Sequence, residues 1–268
     1  MTEIAHNMQA HWPWFWPLIV FIFGACVGSF LNVCVYRIAA GKSIVRPGST
    51  CACGKPIRFY DNIPILSWFI LRGKARCCKR PFSIRYPLVE ALTGLLFLLI
   101  YWQYPLGAAA ALWIFAALLI VGTFIDIDTM QLPDVVTVGG TFLGVALSFA
   151  LPQLQGVAGS DIFIVNAIRS VTLSVLGIVV GSGVIVWIRE GAQFIMRREA
   201  MGYGDIVLMG MIGAFCGWQG ALFAIFGGSI LGAAVMIPLV ALRALKRRRA
   251  KRRGAAQHRS ALWPLAVA

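Results

Sequence analysis

An all-α polytopic membrane protein, with about seven transmembrane helices, is the fold class that this sequence predicts. Three observations predict it. Hydrophobic residues make up 59% of the 268-residue chain and charged residues only 13%, with a mean hydropathy of +0.80. A soluble domain cannot hide that much apolar surface. Uncharged stretches of roughly 20 residues, the length that crosses a bilayer, recur along the chain. The basic residues are also clustered. Of 24 Lys and Arg, 11 lie between Arg37 and Arg85 and nine between Arg243 and Arg259, while Arg189, Arg197 and Arg198 form a third group.

The elements follow in order. Met1–His11 carries Glu3 and no Lys or Arg, so it lacks the basic start of a cleavable signal and reads as a short tail outside the membrane. The first span is Trp14–Tyr36, entered through Trp12, Trp14, Phe15 and Trp16, an aromatic belt suited to the interface. A cytosolic loop over 37–86 separates it from Pro87–Trp102 and Leu106–Ile125, which are parted by Gln103-Tyr104-Pro105. Val135–Leu151 and Phe163–Ile188 come next. The last two spans are Ile206–Phe215, which is short, and Ala221–Leu242, connected through 216–220. The chain therefore divides into an N-terminal tail and first helix (1–36), a basic cysteine-containing loop (37–86), a transmembrane core (87–245) and a basic tail (246–268). Glycines at 210, 213, 217, 228 and 232 recur at three- or four-residue spacings that let membrane helices approach closely.

An outside N-terminus leaves every basic cluster in the cytosol, as the positive-inside rule requires. The formal net charge of +14 then records topology, and nucleic acid is not an expected partner. Membrane lipid is: the tail run Lys246-Arg247-Arg248-Arg249 and Lys251-Arg252-Arg253 suits an anionic surface. Cys26, Cys34 and Cys216 fall in spans and read as small buried hydrophobes.

Two aspartates stand out. Asp126 ends the uncharged run Ala91–Ile125, and Asp205 closes Gly202-Tyr203-Gly204-Asp205 at the start of another uncharged run. A desolvated carboxylate in a membrane costs roughly 2.5–3.5 kcal/mol on insertion scales, so two at matching depth ask for a reason. Metal-free amide hydrolysis needs a base to activate water and an acid to protonate the leaving amine. Two close carboxylates sharing one proton supply both. Gly202 and Gly204 are expected to let the backbone turn sharply before Asp205 and to admit an extended substrate. Asp134 follows Pro133 at a helix start, where capping explains it. Asp128 reads as a solvated loop charge or a support for the pair's hydrogen bonds. The alternative for Asp205 is a helix N-cap.

Three blocks carry a resemblance. The first is Gly28-Ser29-Phe30-Leu31-Asn32-Val33-Cys34-Val35-Tyr36-Arg37. The second runs from Asp61-Asn62-Ile63-Pro64-Ile65-Leu66-Ser67-Trp68 through Leu71-Arg72-Gly73-Lys74 to Pro81-Phe82-Ser83-Ile84-Arg85-Tyr86-Pro87-Leu88-Val89-Glu90. The third joins Asp126-Ile127-Asp128-Thr129-Met130-Gln131-Leu132-Pro133-Asp134 to Gly202-Tyr203-Gly204-Asp205. In this order they resemble the bacterial type IV prepilin peptidases, from residue 28 to about residue 235. The resemblance implies an inner-membrane aspartyl endopeptidase with Asp126 and Asp205 as the catalytic pair. Gly202, Gly204, Asp128 and Asp134 would support it. It implies prepilin or pseudopilin substrates, cut after a glycine at the cytosolic membrane face. It also implies N-methylation of the new terminus with S-adenosylmethionine, for which Glu90, Asp61, Asn62 and Arg37 are candidate residues. Their plain alternatives are a lipid anchor for Arg37, a turn for Asp61-Asn62, and an Arg85 partner for Glu90.

The chain departs from the family pattern in places. The family's two Cys-x-x-Cys pairs suit tetrahedral zinc. Here Cys51-Ala52-Cys53 is one residue shorter, Ala75 replaces the earlier cysteine of the second pair, and Cys77 adjoins Cys78. Zinc on Cys51, Cys53, Cys77 and Cys78 and a reduced metal-free cluster both remain open, and a cytosolic disulfide is not expected. Val207 stands where the family often has lysine, and the segment Arg253–Ala268 lacks the family's usual last span. No Gly-rich dinucleotide fingerprint is present, so methylation rests on the resemblance alone. The alternatives are a peptidase without methyltransferase activity, a catalytically silent scaffold, and a transporter. A transporter should place its acids near mid-membrane, whereas these crowd one edge.

Overall fold

A computed structural model describes residues 12–46, 48, 50–51, 53–157, 161–198 and 201–262. The expected N-terminal tail Met1–His11 falls outside them, as do the last six residues of the basic tail. Among the described residues seven α-helices are assigned: α1 (Phe15–Ala39), α2 (Leu66–Ile70), α3 (Arg85–Gln103), α4 (Leu106–Thr129), α5 (Asp134–Ala150), α6 (Phe163–Met196) and α7 (Tyr203–Leu262). The described residues hold no β-sheet, only two isolated antiparallel bridges, Thr50–Pro56 and Lys74–Pro81.

Five helices (α1, α3, α4, α6 and α7) are long and apolar enough to cross a membrane; α5 is a shorter apolar helix. The expected break between the last two spans is narrower than the sequence suggests. Residues 216–220 form no extended loop: two helices, taken together as α7, meet at a kink at Gly217, with φ 66° and ψ −177°, so the expected break is present and compressed to one residue. That departure disturbs the local ladder, and side chains take up carbonyls around it. Ala214 O accepts from Gln155 Nε2 at 2.9 Å and Ser174 Oγ at 2.8 Å, and Phe215 O accepts from Gln155 Nε2 at 3.3 Å. Backbone groups at membrane depth must find partners inside the protein, and polar Gln155 supplies them.

Residues up to Ala221 form one compact unit and residues from Leu222 onward another. In the first, small residues set the helix crossings. A methyl on Gly24 would meet Gly94 Cα at 2.8 Å, and one on Gly28 would meet Glu90 Cα at 2.8 Å, so α1 and α3 touch backbone to backbone. Gly177 of α6 and Gly213 of α7 leave no room for a side chain on either. Such contacts gain dispersion energy where lipid offers no hydrophobic drive. The core gathers Leu31, Cys34 and Val35 of α1, Val89 of α3, Ile120, Val121 and Ile125 of α4, and Val136 of α5. The second unit continues α7 with Pro238 inside it and exposed Phe223, Phe226, Ile230 and Leu231. Gly228 and Gly232 meet nothing within 4 Å there, so the packing role expected for these two is not seen among the described residues.

Candidate active site

The turn between α4 and α5 carries the first aspartate. Asp126 lies in the last turn of α4 and is half-buried. Its carbonyl accepts the N–H of Met130 at 2.7 Å, and Met130 takes the left-handed C-cap conformation at φ 54°. Leu132 and Pro133 then lead into α5. Asp134 is not the cap: Pro133 holds that position, and Asp134 sits in the first turn without a side-chain cap bond. Its charge there complements the positive end of the helix.

Asp205 is the third residue of α7, also half-buried, so it is not the N-cap either. Its charge and that of Asp126 interact. The reason for the approach is Gly204. A methyl on Gly204 would lie 3.1 Å from Leu132 Cβ, so the missing side chain lets the two segments meet. Neither Gly202 nor Gly204 has a positive φ, and a Cβ on Gly202 would meet nothing within 4 Å. The chain bends at Met201 just before α7 without using the left-handed region at either glycine, and Gly204 is needed instead for close approach.

Two arginines that the sequence did not connect to the aspartates brace this arrangement. Arg85 at the start of α3 pairs with Asp128 at 2.6 Å, donates to Phe124 O at 2.9 Å, and stacks over the Phe124 ring. Asp128 is therefore a paired group, and Arg85 is not the partner of Glu90. Arg189 of α6 donates to Met201 O at 3.3 Å and lies over the Tyr203 ring at 5.1 Å, beside Gly202-Tyr203-Gly204-Asp205. Both contacts join residues far apart in the chain, which is why spacing could not reveal them.

The four cysteines of the loop converge. Two short turns present them, one bracketed by Thr50–Pro56 and the other by Lys74–Pro81. Left-handed Gly54 follows Cys53, and left-handed Lys79 follows Cys78. Cys51 Sγ lies 3.5 Å from Cys78 Sγ and Cys53 Sγ 3.3 Å from Cys77 Sγ, with all four sulfurs within 4.8 Å of one another. Tetrahedral zinc with Zn–S near 2.3 Å needs sulfurs about 3.8 Å apart, which these separations bracket. The adjacency of Cys77 and Cys78 is no obstacle, because each faces a different cysteine across the cluster. The Cys53 N–H, followed by the Cys77 and Cys78 thiols, holds Cys51 down to about 7. Cys77 is pushed up to about 12, chiefly by its hydrogen bonds to Cys51 and Cys53. One sulfur is thus inclined to ionise near neutrality, as a metal ligand must.

The first two sequence blocks meet as well. Asn32 Nδ2 donates to Tyr86 O at 3.2 Å, and Glu90 Oε2 accepts the Ile65 N–H at 2.6 Å. Asp61 forms an ion pair with Arg76 at 2.8 Å instead of marking only a turn. Arg37 is not simply a lipid anchor: it donates to the carbonyls of Ser43, Ile44 and Gly48, closing the start of the loop. A cleft of about 1080 Å³ lies between the loop and the ends of α1 and α3, lined by all four candidates, Arg37, Asp61, Asn62 and Glu90.

Comparison with known proteins agrees with this layout. Residues 22–104 match the family model of the bacterial peptidase A24 N-terminal domain, and residues 113–237 that of the type IV leader peptidase family. The chain is 40% identical over 232 residues to a prepilin leader peptidase/N-methyltransferase of Myxococcus xanthus, which covers 84% of this chain and 64% of that relative. A protein of the same name from Aeromonas hydrophila is 34% identical over 273 residues, covering 91% and 86% respectively. A type 4 prepilin-like proteins leader peptide-processing enzyme of Escherichia coli is 34% identical over 221 residues, covering 75% and 77%. No solved structure matches the chain.

Proposed function

The chain belongs to the type IV leader peptidase family, and from that premise we propose that it is an aspartyl endopeptidase of prepilin and pseudopilin leaders that also N-methylates the product. Asp126 and Asp205 are the catalytic pair in this reading. The ionised carboxylate takes a proton from water as the water oxygen bonds to the scissile carbonyl carbon. The protonated partner hydrogen-bonds the carbonyl oxygen, and a proton passes to the leaving amine as the C–N bond breaks. The supporting observation is the contact of Gly204 with Leu132, which brings Asp205 within electrostatic reach of Asp126. The chain lies in the inner membrane with this site at the cytosolic face, where a leader meets its hydrophobic helix.

The loop is the methyltransferase-associated part, and Cys51, Cys53, Cys77 and Cys78 hold a structural zinc ion. S-adenosylmethionine supplies a methyl group carried on a sulfonium. The test of the peptidase is cleavage of a membrane-embedded prepilin by the wild type and by Asp126→Asn and Asp205→Asn. Loss of cutting in both variants, with methylation of a pre-cleaved pilin retained, supports the pair. Cutting that survives Asp126→Asn moves the acid to Asp128.

A further inference from the structure

The cleft beneath the loop contains an unexplained polar group. Ser67, in the short helix α2, is 8% exposed. It lines the cleft, and its hydroxyl has no hydrogen-bond partner among the described residues. A buried hydroxyl without a partner is costly to keep. Ile65, two residues earlier, sits at φ 62°, a conformation that a β-branched residue rarely adopts. Glu90, itself 8% exposed, holds that turn through the Ile65 N–H at 2.6 Å, and Ser29 hydrogen-bonds the same carboxylate. Beside Ser67, the Trp68 ring is fixed by its indole bond to Phe82 O and by Gly73 against its face. A pinned ring, an orphan hydroxyl and a buried carboxylate therefore share one cavity, and the carboxylate holds the strained turn behind them.

We propose that this cleft is the binding site for S-adenosylmethionine, with Ser67 and Glu90 contacting it directly. The proposal rests on the methyltransferase reading and adds the location and the residues. The chemistry fits the donor. Its nucleoside needs an aromatic plane, which Trp68 offers. Its hydroxyls need a partner, which Ser67 lacks. Its cationic groups need negative charge, and Glu90, held by the neutral Ile65 N–H, lines the cleft; Asp61 lines it too but is already paired with Arg76. Ligand sites typically run to roughly 300–1000 Å³, so a cleft of about 1080 Å³ has space for the donor and for an incoming pilin amine.

The test is direct binding of S-adenosylmethionine to the full-length protein in nanodiscs by titration calorimetry. Ser67→Ala removes a hydroxyl that bonds nothing in the free protein, so the fold is retained while affinity falls about 2- to 10-fold. Glu90→Gln keeps an acceptor for the Ile65 N–H but loses the charge, and affinity falls roughly tenfold or more. Ser170→Ala removes the other described serine hydroxyl that is buried without a partner, in α6 and away from the cleft, and binding stays at the wild-type level. Wild-type affinity in both cleft variants overturns the proposal and leaves the methyltransferase reading standing. A wild type that neither binds the donor nor methylates a pre-cleaved pilin overturns both.

Discussion

Arg85 holds Asp128 at 2.6 Å, and through that pair the first residue of α3 grips the end of the helix that carries Asp126. The same guanidinium donates to Phe124 O and lies 4.6 Å from the Phe124 ring centroid. The pair is partly open to solvent, with side-chain exposures of 32% and 42%, so the ion pair contributes only about 0.2–1 kcal/mol. Its importance is positional. Arg85→Ala is expected to lower the prepilin cleavage rate roughly tenfold or more with little loss of thermal stability. Arg85→Lys should not rescue it, because an ammonium cannot serve a carboxylate, a carbonyl and a ring together. Single-turnover cleavage beside thermal melts in the same detergent checks this.

Gly204 and Gly202 should respond differently to alanine. At Gly204 the new methyl lies 3.1 Å from Leu132 Cβ and 3.2 Å from Cδ1, so the two aspartate-bearing segments are pushed apart. Cleavage by Gly204→Ala falls, while Gly202→Ala, with open space around the added carbon, cuts at the wild-type rate. Equal loss in both would point to backbone freedom as the need at both positions.

The cysteine cluster predicts a metal content. Protein purified without chelator should carry about one zinc ion per chain by elemental analysis, and Cys53→Ala or Cys77→Ala should abolish it. Because Cys77 sits in the turn that also carries Arg76, the partner of Asp61, metal loss should weaken methylation before it touches peptide cleavage. Comparing the two activities after chelation reads that order.

At Gly217 it is the backbone conformation of α7 that disfavours a side chain. Its φ of 66° and ψ of −177° belong to a region nearly restricted to glycine, so Gly217→Ala is expected to cost about 1–3 kcal/mol. Gln155→Ala removes the bond to Phe215 O, but Ala214 O keeps its bond from Ser174. Its effect on the melting temperature should therefore be smaller than that of Gly217→Ala.

Local chemistry made much of this legible in the sequence. Asp126 and Asp205 announced themselves because a carboxylate at the end of a long apolar run needs a reason. The helix start at Pro133 followed from the proline itself, and the break before Leu106 from Gln103-Tyr104-Pro105. Long-range partners were not legible. Arg85 read as one of eleven clustered cations and as a partner for nearby Glu90, and nothing in its spacing pointed 43 residues on to Asp128. Gly217 looked like part of a longer connection because its neighbours Trp218 and Gln219 are polar or interfacial, yet Gln155 and Ser174 take up the carbonyls just before it and the break between the two helices shrinks to one kinked residue. The cysteine spacing left zinc open because adjacency in sequence says nothing about which thiol each cysteine faces across two turns.

The crossing at Gly24, Gly28 and Gly94 has a consequence for the excursion it brackets. Since α1 and α3 touch along their backbones, residues 40–84 leave and return through one narrow gate, and the entropy of closing that ring is met by the helix pair itself. A chain severed in the exposed stretch around Ile44 and Val45 would therefore present two fragments that still share the α1–α3 seam. Co-expressed halves split there should reassemble without a tether, making the excursion an exchangeable cassette that relatives could swap as a unit.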